Sequence, residues 1–368
     1  MHAFVRNLIS EWRRLKLPTS GTVVIGVSGG ADSISLLLAM HEVVALKKLD
    51  FRLVAAHYNH HLRDGESDAD EQFVREITAA RKIEFAVGHA DGIEGSDLEQ
   101  KARDARYAFL RKAAESVEAF AVLTGHTMND QAETFLINLL RGSGPTGLCG
   151  MKAVRPLDEE RLSMGEGPKG GTGDSRSECD PDQGAGWREK EESPLLPFAP
   201  SPLLPNSSPL RLVRPLLTWA KRIHTEGYCR DRGVEYRYDT MNEDTAFKRV
   251  RVRKILLPLL EDFNPNIVET LSRTASLMQD IPNPKPPADE DTLDIADLRA
   301  MSPEAMKTKV RAWLDQKRGN TRAIGLKHID AIERLVKSQR SGRVAELPGK
   351  AVVIRSNGRL TYRENNVD

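Results

Sequence analysis

The sequence predicts an α/β fold built on a doubly wound parallel sheet, followed by a smaller C-terminal domain of helical or α+β character. Two observations carry this prediction. Between residues 22 and 142, apolar segments with the composition of buried strands alternate with segments of helical periodicity, as in consecutive βαβ units. The chain of 368 residues is also long enough to bury the cores of two domains.

The predicted strands and helices follow one another without a break. The first strand, TVVIGVS, is a mostly apolar, β-branched run, which is typical of a parallel strand covered on both faces. Right-handed crossovers place helices on both sides of the sheet. The polar loops after Val27, His57 and Gly125 then meet at its C-terminal edge, where such sheets bind ligands. Strands are predicted at 22–28, 51–59, 83–90 and 119–126, and helices at 33–48, 66–82, 96–116 and 129–142.

The alternation ends at a segment that is rich in Gly, Pro, Ser and charge and has no periodicity. We predict that it is a disordered insertion, because compact domains seldom hold a loop of this length. Near the C-terminus, Asn357-Gly358 is a strong hairpin signal. The predicted organisation is a first domain (1–157 and 210–225), the insertion (158–209), a helical extension (226–280) with helices near 219–232 and 246–261, a proline-rich linker (281–292) and a small domain (293–368).

Composition narrows the class of protein. The formal net charge is +1, so any surface for nucleic acid has to be local. The cysteines, Cys149, Cys179 and Cys229, lie far apart in sequence, which disfavours zinc ribbons and redox dithiols and fits a reducing compartment. No apolar run approaches the roughly 20 residues that cross a bilayer. We therefore expect a cytoplasmic protein that does not contact membranes. The sequence leaves the oligomeric state open, with a homodimer as one option.

The turn SGGADS joins the first strand to the helix that follows it. Glycines let the backbone approach a ligand closely, and the helix N-terminus and the serine hydroxyls favour an anion. The turn lacks the lysine of a Walker motif and carries an aspartate, which suits Mg²⁺ shared with phosphate oxygens. The sequence therefore predicts a pyrophosphate site with Asp32 as the metal ligand. Its contacts are Ser28, Gly29, Gly30, Ala31, Asp32 and Ser33.

This turn resembles the PP-loop, SGGxDS, of the N-type ATP pyrophosphatases, which have an adenine nucleotide alpha hydrolase-like fold and cleave ATP between its α- and β-phosphates. Longer stretches resemble motifs of the tRNA(Ile)-lysidine synthases within that superfamily. They are AAHYNHHLRDGESDADEQFV (55–74), EQKARDARYAFL (99–110), TGHTMNDQAETFLINLLRGSGPTGLCGM (124–151), and LVRPLL (212–217) with YDTMNEDTAFKRVRVRKILLPLL (238–260). The resemblance covers about residues 20–280 apart from the insertion, with a weaker similarity around the predicted hairpin.

The resemblance implies a defined reaction. ATP adenylates O2 of the wobble cytidine in a tRNA(Ile) with the anticodon CAU, and the ε-amine of free L-lysine then attacks C2 while AMP leaves. The product, lysidine, pairs with A, so the tRNA reads AUA instead of AUG. The implied ligands are ATP, Mg²⁺, L-lysine and this tRNA.

The resemblance also assigns roles to residues outside the turn. Asp130 and Glu133 share a helix face and are assigned to lysine, and Asp130 also to the metal. The alternative is that both acids only complement the helix dipole. Arg106 is assigned to charge developing on the phosphates, with a solvated helix face as the alternative. From their place at the ligand edge, His57 and His126 are further candidate ATP contacts. The alternatives are a tRNA contact for His57, a contact with the activated base for His126, and surface solvation for both. The predicted catalytic set is Asp32, Asp130 and Arg106.

Basic stretches are candidate contacts for tRNA, although a solvated basic helix has the same composition. KRVRVRK (248–254) supplies Arg249, Arg251 and Arg253, and KSQRSGR (337–343) supplies Lys337 and Arg340. The chain departs from the family motifs at two positions: Asn129 stands where the family has Asp, and Val250 where it has Asn.

Two other functions fit parts of the sequence. A tRNA thiolase is the nearest alternative within the superfamily, but such enzymes commonly use a CxxC pair or a cluster motif, which this chain lacks. The second alternative is a binding protein rather than an enzyme: a non-catalytic tRNA-binding protein whose nucleotide-binding fold has lost its activity. The intact SGGADS turn, together with Asp130 and Glu133, disfavours it.

Overall fold

The structure is a computed structural model, and it describes residues 1–61, 66–90, 98–157, 209–237, 247–281, 291–318 and 324–364. Contacts divide the chain into two units. Of the described residues, the first unit takes 1–137, 150–157 and those from 209 to 275, and the second takes 138–149 and those from 276 onward. The predicted insertion, apart from its last residue, lies outside the described residues, as does most of the predicted linker.

Within the described residues, the first unit is built on a six-stranded sheet. The strands are β1 (Ser20–Gly26), β2 (Asp50–Asn59), β3 (Glu84–His89), β4 (Ala121–Thr124), β5 (Val154–Pro156) and β6 (Arg211–Val213). Their order in space is β3-β2-β1-β4-β6-β5. Neighbouring strands are parallel except for β5, which pairs antiparallel with β6 at the edge. The C-terminal ends of β1, β4 and β6 therefore lie side by side at one edge of the sheet.

Helices cover both faces of this sheet. The described α-helices up to residue 280 are α1 (Ala3–Arg14), α2 (Ala31–Ala45), α3 (Glu66–Ala80), α4 (Leu98–Ser116), α5 (Met128–Leu140), α6 (Pro145–Leu148), α7 (Arg222–Asp231), α8 (Lys248–Arg251), α9 (Leu257–Phe263) and α10 (Ile267–Asp280). Of these, α6 and the last residues of α5 and α10 belong to the second unit. On one face, Ile25 of β1 packs in a cluster with residues of α1, α2 and α7. On the other face, the neighbouring Val24 packs with residues of α4. Side chains of a strand alternate between faces, so a strand buried on both sides reads as one apolar run. The predicted fold class is confirmed.

The predicted strands and helices of the βαβ region are confirmed, with two differences. The strands β5 and β6 were not predicted, and at three residues each they are too short to show a period. The helix predicted at 246–261 contains a π-helical turn, Val252–Leu256, between α8 and α9. Pro258 follows that turn and has no N–H to donate to the carbonyl of residue 254, so a regular α-helix cannot run through it.

The second unit has its own sheet and core. Its described strands, β7 (Thr292–Asp294), β8 (Val344–Glu346), β9 (Ala351–Ser356) and β10 (Arg359–Glu364), form an antiparallel sheet in the order β7-β10-β9-β8. The helices α11 (Ile295–Ala300), α12 (Pro303–Arg318) and α13 (Leu326–Lys337) supply Trp313 and Ile332 to the buried cluster. The predicted hairpin is confirmed: β9 pairs with β10, and both Asn357 and Gly358 have positive φ, as a two-residue turn of this type requires.

No helix in the part of the chain that the structure describes combines the length and the apolar character needed to span a bilayer.

Candidate active site

The SGGADS turn lies between β1 and α2, at the C-terminal edge of the sheet. Gly29 has a φ of +87°, a conformation that glycine adopts without strain. The hydroxyl of Ser33 donates to the carbonyl of Gly30 at 3.0 Å and accepts from the N–H of Ser28 at 3.1 Å, which fixes the turn. No side chain of the described residues caps the N-terminus of α2. The first amides of α2 and its dipole therefore suit an anion.

The loop after β4 packs directly against the start of α2. A Cβ on Gly125 would lie 2.6 Å from the carbonyl oxygen of Asp32 and 2.9 Å from the nitrogen of Ser33. Both are backbone atoms, which cannot swing aside as the end of a side chain can. Glycine at position 125 therefore allows the loops after β1 and β4 to meet.

Three carboxylates and three guanidinium groups gather beside this contact. Asp32 comes from the first turn of α2, and Asp130 and Glu133 from the start of α5. The arginines are supplied by α7, α8 and the π-helical turn, and are Arg222, Arg249 and Arg253. The sequence predicted that the three acids would lie at one site, and the structure brings them together there.

Glu133 is fully buried, and both of its oxygens accept hydrogen bonds. Arg249 donates from Nε to Oε2 at 2.8 Å, and Arg253 donates from Nε to Oε1 at 2.7 Å and from Nη2 to Oε2 at 3.1 Å. Arg222 adds a longer bond from Nη2 to Oε1 at 3.4 Å. A carboxylate has about four acceptor positions, so those of Glu133 are all occupied.

Asp130 keeps more acceptor capacity than Glu133. Its Oδ2 accepts from the N–H of Thr127 at 2.9 Å and from the hydroxyl of the same residue at 3.0 Å, which caps the start of α5. Its Oδ1 accepts from Nη2 of Arg249 at 3.1 Å. The guanidinium groups of Arg222 and Arg253 lie 3.8 and 3.9 Å from the same oxygen, beyond hydrogen-bonding distance.

The arginines keep two of the acids ionised. Burial alone favours the neutral form, but Arg249 and Arg222 hold the pKa of Asp130 below its ordinary value. At Glu133, too, burial raises the pKa, but the charge of Arg249 and the hydrogen bond from Arg253 lower it below its ordinary value. The carboxylates in turn raise the pKa of Arg222 against the effect of burial.

Asp32 differs from the other two acids. Burial and the negative charge of Asp130 raise the pKa of Asp32 to about 6, although Arg222 and a hydrogen bond from the hydroxyl of Thr225 oppose the shift. The Nε of Arg222 lies 3.8 Å from Oδ2 of Asp32, which is too far for a hydrogen bond between the two side chains. A divalent cation at Asp32 would supply the missing positive charge.

Sequence reasoning missed Arg222 and Thr225. Both lie in the first turn of α7, where the backbone N–H of Arg222 donates to Oδ1 of Asn129 at 2.9 Å. Asn129 is a departure from the family pattern, yet it supplies an acceptor oxygen as an aspartate would. The sequence could have indicated these two residues only through their position. They begin the helix α7, which follows β6, and the C-terminal end of β6 lies at the ligand edge of the sheet.

The two predicted histidines lie at that edge as well. His57 is buried, and its Nδ1 contacts the carbonyl of Val27 at 2.9 Å, so it supports the strand that leads into the turn. Burial lowers the pKa of His57. His126 follows β4, and its Nδ1 lies 2.9 Å from the hydroxyl of Thr124. Burial and nearby arginines hold the pKa of His126 well below its ordinary value, so the ring is neutral at pH 7.

The predicted catalytic Arg106 does not join the acid cluster. It lies on α4 with its guanidinium carbon 5.3 Å from the ring centre of Tyr107, within the range of a cation–π contact. Its charge contributes to the low pKa of His126, which places it on the same edge of the sheet.

The predicted RNA contacts divide into two groups. Arg249 and Arg253 face the acids, whereas Arg251 between them is exposed. Lys337 and Arg340 are exposed residues of the second unit, and Nζ of Lys337 pairs with Glu333 at 2.6 Å. Their role in binding RNA stays a prediction.

The described ranges contain no group of three or more His, Cys, Asp or Glu side chains placed to hold a metal ion. The donor set instead fits a cation held by one carboxylate and completed by phosphate oxygens and water.

Comparison with known proteins gives two family matches. A PP-loop domain matches residues 4–163, and a TilS substrate binding domain matches residues 293–361. The tRNA(Ile)-lysidine synthase of Salinispora tropica is 30% identical over 366 residues, which cover 94% of this chain and 92% of that protein. Those of Dehalococcoides mccartyi and Geobacter sulfurreducens are also 30% identical, over 90% and 94% of this chain. The chain spans 64% and 66% of the length of these last two relatives.

Among solved structures, the U34-tRNA thiolase NcsA from Methanococcus maripaludis, determined with its [4Fe-4S] cluster, matches with a TM-score of 0.52. The match covers 76% of this chain and 80% of that protein at 14% sequence identity, so it shows a shared fold and nothing further. The Salinispora protein, which is 30% identical and matches along nearly the full length of both chains, shows the family as well as the fold. The chain belongs to the tRNA(Ile)-lysidine synthase family.

Proposed function

We propose that the protein is a tRNA(Ile)-lysidine synthase. It ligates L-lysine to C2 of the wobble cytidine in a tRNA(Ile) with the anticodon CAU and converts ATP to AMP and pyrophosphate. The observation that carries the proposal is the junction of the SGGADS turn with the cluster of Asp32, Asp130 and Glu133, in a chain whose relatives bear this enzyme's name.

The proposed reaction has two steps. In the first, O2 of the cytidine attacks the α-phosphorus of ATP, a new O–P bond forms, and pyrophosphate leaves. In the second, the ε-amine of lysine, after loss of the ammonium proton, attacks C2 and a C2–N bond forms. The C2–O2 bond breaks, AMP leaves with the former O2 of the base, and the new C2–N nitrogen loses a proton. Together the two steps require one site that accepts the negative phosphates of ATP and the amino group of lysine.

The turn and Asp32 are the proposed pyrophosphate side of the site. The free amides at the start of α2 would receive phosphate oxygens, together with Ser28, Gly29, Gly30, Ala31 and Ser33. Asp32 would hold Mg²⁺, which supplies positive charge to the leaving pyrophosphate. The raised pKa of Asp32 supports this role, because the bare carboxylate lacks a full counter-charge. His57 and His126 remain the proposed nucleotide contacts, and Asp130 a further candidate metal ligand.

Asp130 and Glu133 are the proposed lysine side. The three carboxylates and the three arginines balance, so an incoming ammonium group meets a neutral cluster rather than an anionic one. Asp130 has acceptor capacity left, and we propose that it receives the ammonium group first. Glu133 can bind lysine only by releasing a guanidinium, since its acceptor positions are all taken.

The RNA is the least constrained ligand. Arg251 is exposed beside the cluster and is a proposed contact for the RNA backbone, while Arg249 and Arg253 would reach it only by leaving the acids. In the second unit, Lys337 and Arg340 are further proposed RNA contacts. We further propose that the protein acts in the cytoplasm, and sedimentation would distinguish a monomer from a homodimer.

A thiolase function has less support. Of the described cysteines, Cys229 is buried, and burial raises its pKa to about 12, which makes it a poor nucleophile. Cys149 is partly exposed and has no second cysteine two or three positions away in sequence.

The test is incorporation of labelled lysine. The protein is incubated with ATP, Mg²⁺, labelled L-lysine and a CAU-anticodon tRNA(Ile) transcript, with an elongator methionine tRNA, which shares that anticodon, as the control. We expect label in the isoleucine RNA only, with one AMP and one pyrophosphate for each lysine. Folded protein that binds ATP but labels neither RNA, or both equally, contradicts the proposal.

A further inference from the structure

The hydroxyl of Thr225 joins the first turn of α7 to the SGGADS turn. Thr225 is fully buried, and its Oγ1 donates to Oδ1 of Asp32. One turn further along α7, the thiol of Cys229 donates to the carbonyl of Ala31 at 3.6 Å. The face of α7 that carries Thr225 and Cys229 therefore packs against the residues that begin α2.

The Thr225 hydroxyl has two acceptors within reach but only one proton. Its Oγ1 also lies 2.7 Å from the carbonyl oxygen of Arg222, in the same turn of α7. A hydroxyl in a helix is commonly satisfied by such a carbonyl alone, so its burial does not require Asp32. The bond to an ionised carboxylate is the stronger of the two. While Asp32 is ionised, the hydroxyl therefore donates mainly to the carboxylate.

The two oxygens of Asp32 differ as a result. Oδ1 is held by Thr225, whereas Oδ2 lies 3.8 Å from Nε of Arg222, beyond hydrogen-bonding distance. A carboxylate that is held at one oxygen cannot turn freely about its last bond, so the direction of the other oxygen is fixed too. Oδ2 is the oxygen that remains for a cation.

We propose that Thr225 is a positioning residue for the cation site: its hydroxyl holds Oδ1 of Asp32 against α7 and so presents Oδ2 to Mg²⁺. It acts through Asp32 rather than by touching the cation. Hydrogen-bond partners of this kind orient a metal-binding side chain, and their loss typically lowers metal affinity by about 10- to 100-fold. The part of Mg²⁺ rests on the proposed function, whereas the orientation of Asp32 does not.

The test replaces the hydroxyl by a methyl group of similar size in Thr225→Val. The control is Thr78→Val, which makes the same exchange at a buried position of α3, where the hydroxyl donates to the carbonyls of Val74 and Arg75 in its own helix. Thr225→Ser keeps the hydroxyl. ATP binding to the full chain is measured by calorimetry at pH 8, where Asp32 is ionised, with Mg²⁺ and with EDTA in its place. Thermal melting checks folding.

The comparison with and without Mg²⁺ separates positioning from a structural role. We expect Thr225→Val to bind Mg²⁺-ATP at least about tenfold more weakly than Thr78→Val, and Thr225→Ser to stay within about threefold of the original protein. Metal-free ATP should bind equally to all of them, because the carboxylate then has no cation to receive. Equal Mg²⁺-ATP affinities of the two valine variants overturn the proposal. An equal loss with and without Mg²⁺ also overturns it, since the substitution would then distort the turn itself.

Crystal structures of the metal-free variants test the orientation independently of the proposed function. We expect the carboxylate of Asp32 to turn away from α7 in Thr225→Val and to keep its contact with the hydroxyl in Thr225→Ser. An unchanged carboxylate in Thr225→Val overturns the proposal. If Mg²⁺ does not strengthen ATP binding by the original protein, the proposed metal role of Asp32 fails, and these structures alone decide the role of Thr225.

Discussion

Arg253 donates from Nε to Oε1 of Glu133 at 2.7 Å, and the carboxylate that it meets is fully buried. Removing that charge leaves several guanidinium groups around a neutral side chain in a low-dielectric site. We expect Glu133→Gln to lower the free energy of unfolding by about 3 kcal/mol, as measured by urea denaturation. Glu261→Gln, on the exposed face of α9, is the control and should change it by less than about 0.5 kcal/mol. Equal effects of the two substitutions would show that the buried cluster does not stabilise the fold.

The raised pKa of Asp32 predicts a pH-dependent affinity for Mg²⁺-ATP. A protonated carboxyl is a poor metal ligand, so the affinity should rise as the pH increases through about 6 and level off above 7. Without metal the sign is opposite: between pH 4 and 6 the folded state holds a proton that the unfolded state has lost, so the stability contributed by Asp32 falls as the pH rises.

Calorimetry of Mg²⁺-ATP binding at pH 5, 6 and 7.5 measures this effect. Asp32→Asn serves as the control, because ATP itself takes up protons in this range and the variant retains only that part of the change. The same pH dependence in the variant and the original protein would remove Asp32 from the metal site.

The contact between Gly125 and Asp32 predicts a large effect of one methyl group. Gly125→Ala would place Cβ 2.6 Å from a backbone oxygen at the start of α2, so the SGGADS turn has to shift. We expect a loss of about 1 to 3 kcal/mol in stability and at least a tenfold loss in ATP affinity.

Gly227→Ala is the matched control for that substitution. Gly227 lies inside α7, and nothing stands within 4 Å of an added Cβ. Alanine there should stabilise the protein by about 0.5 to 1 kcal/mol without changing ATP binding. If both alanine variants bound ATP like the original protein, the close approach of the two loops would have no role in the site.

The contact of Asn129 with α7 predicts which substitutions this position tolerates. Its Oδ1 accepts from the first backbone N–H of α7, which positions Arg222. Asn129→Asp keeps this acceptor, so stability should change by less than about 1 kcal/mol and lysine incorporation by only a few fold. Asn129→Ala loses it, and we expect a loss of about 1 kcal/mol and at least tenfold slower incorporation. An alanine variant as active as the original protein would refute this positioning role.

The sheet and the turn could be predicted because their signals are local. The apolar run of β1 and the glycines of SGGADS specify strand, turn and helix within about 20 residues. The partners of Glu133 could not be predicted in this way, because Arg222, Arg249 and Arg253 are 89 to 120 residues away in sequence. The basic stretch 248–254 suggested RNA from its charge, yet Arg249 and Arg253, four residues apart, face buried acids. Only tertiary contacts decide which of its arginines do so.

The transfer of oxygen from the base to AMP tests the proposed reaction most directly. A CAU-anticodon RNA is prepared with ¹⁸O at O2 of the wobble cytidine. It is incubated with the protein, ATP, Mg²⁺ and L-lysine, and the mass of the released AMP is measured by mass spectrometry. We expect one ¹⁸O atom in the phosphate of each AMP formed with lysidine. Lysine-dependent AMP without the label would contradict adenylation at O2.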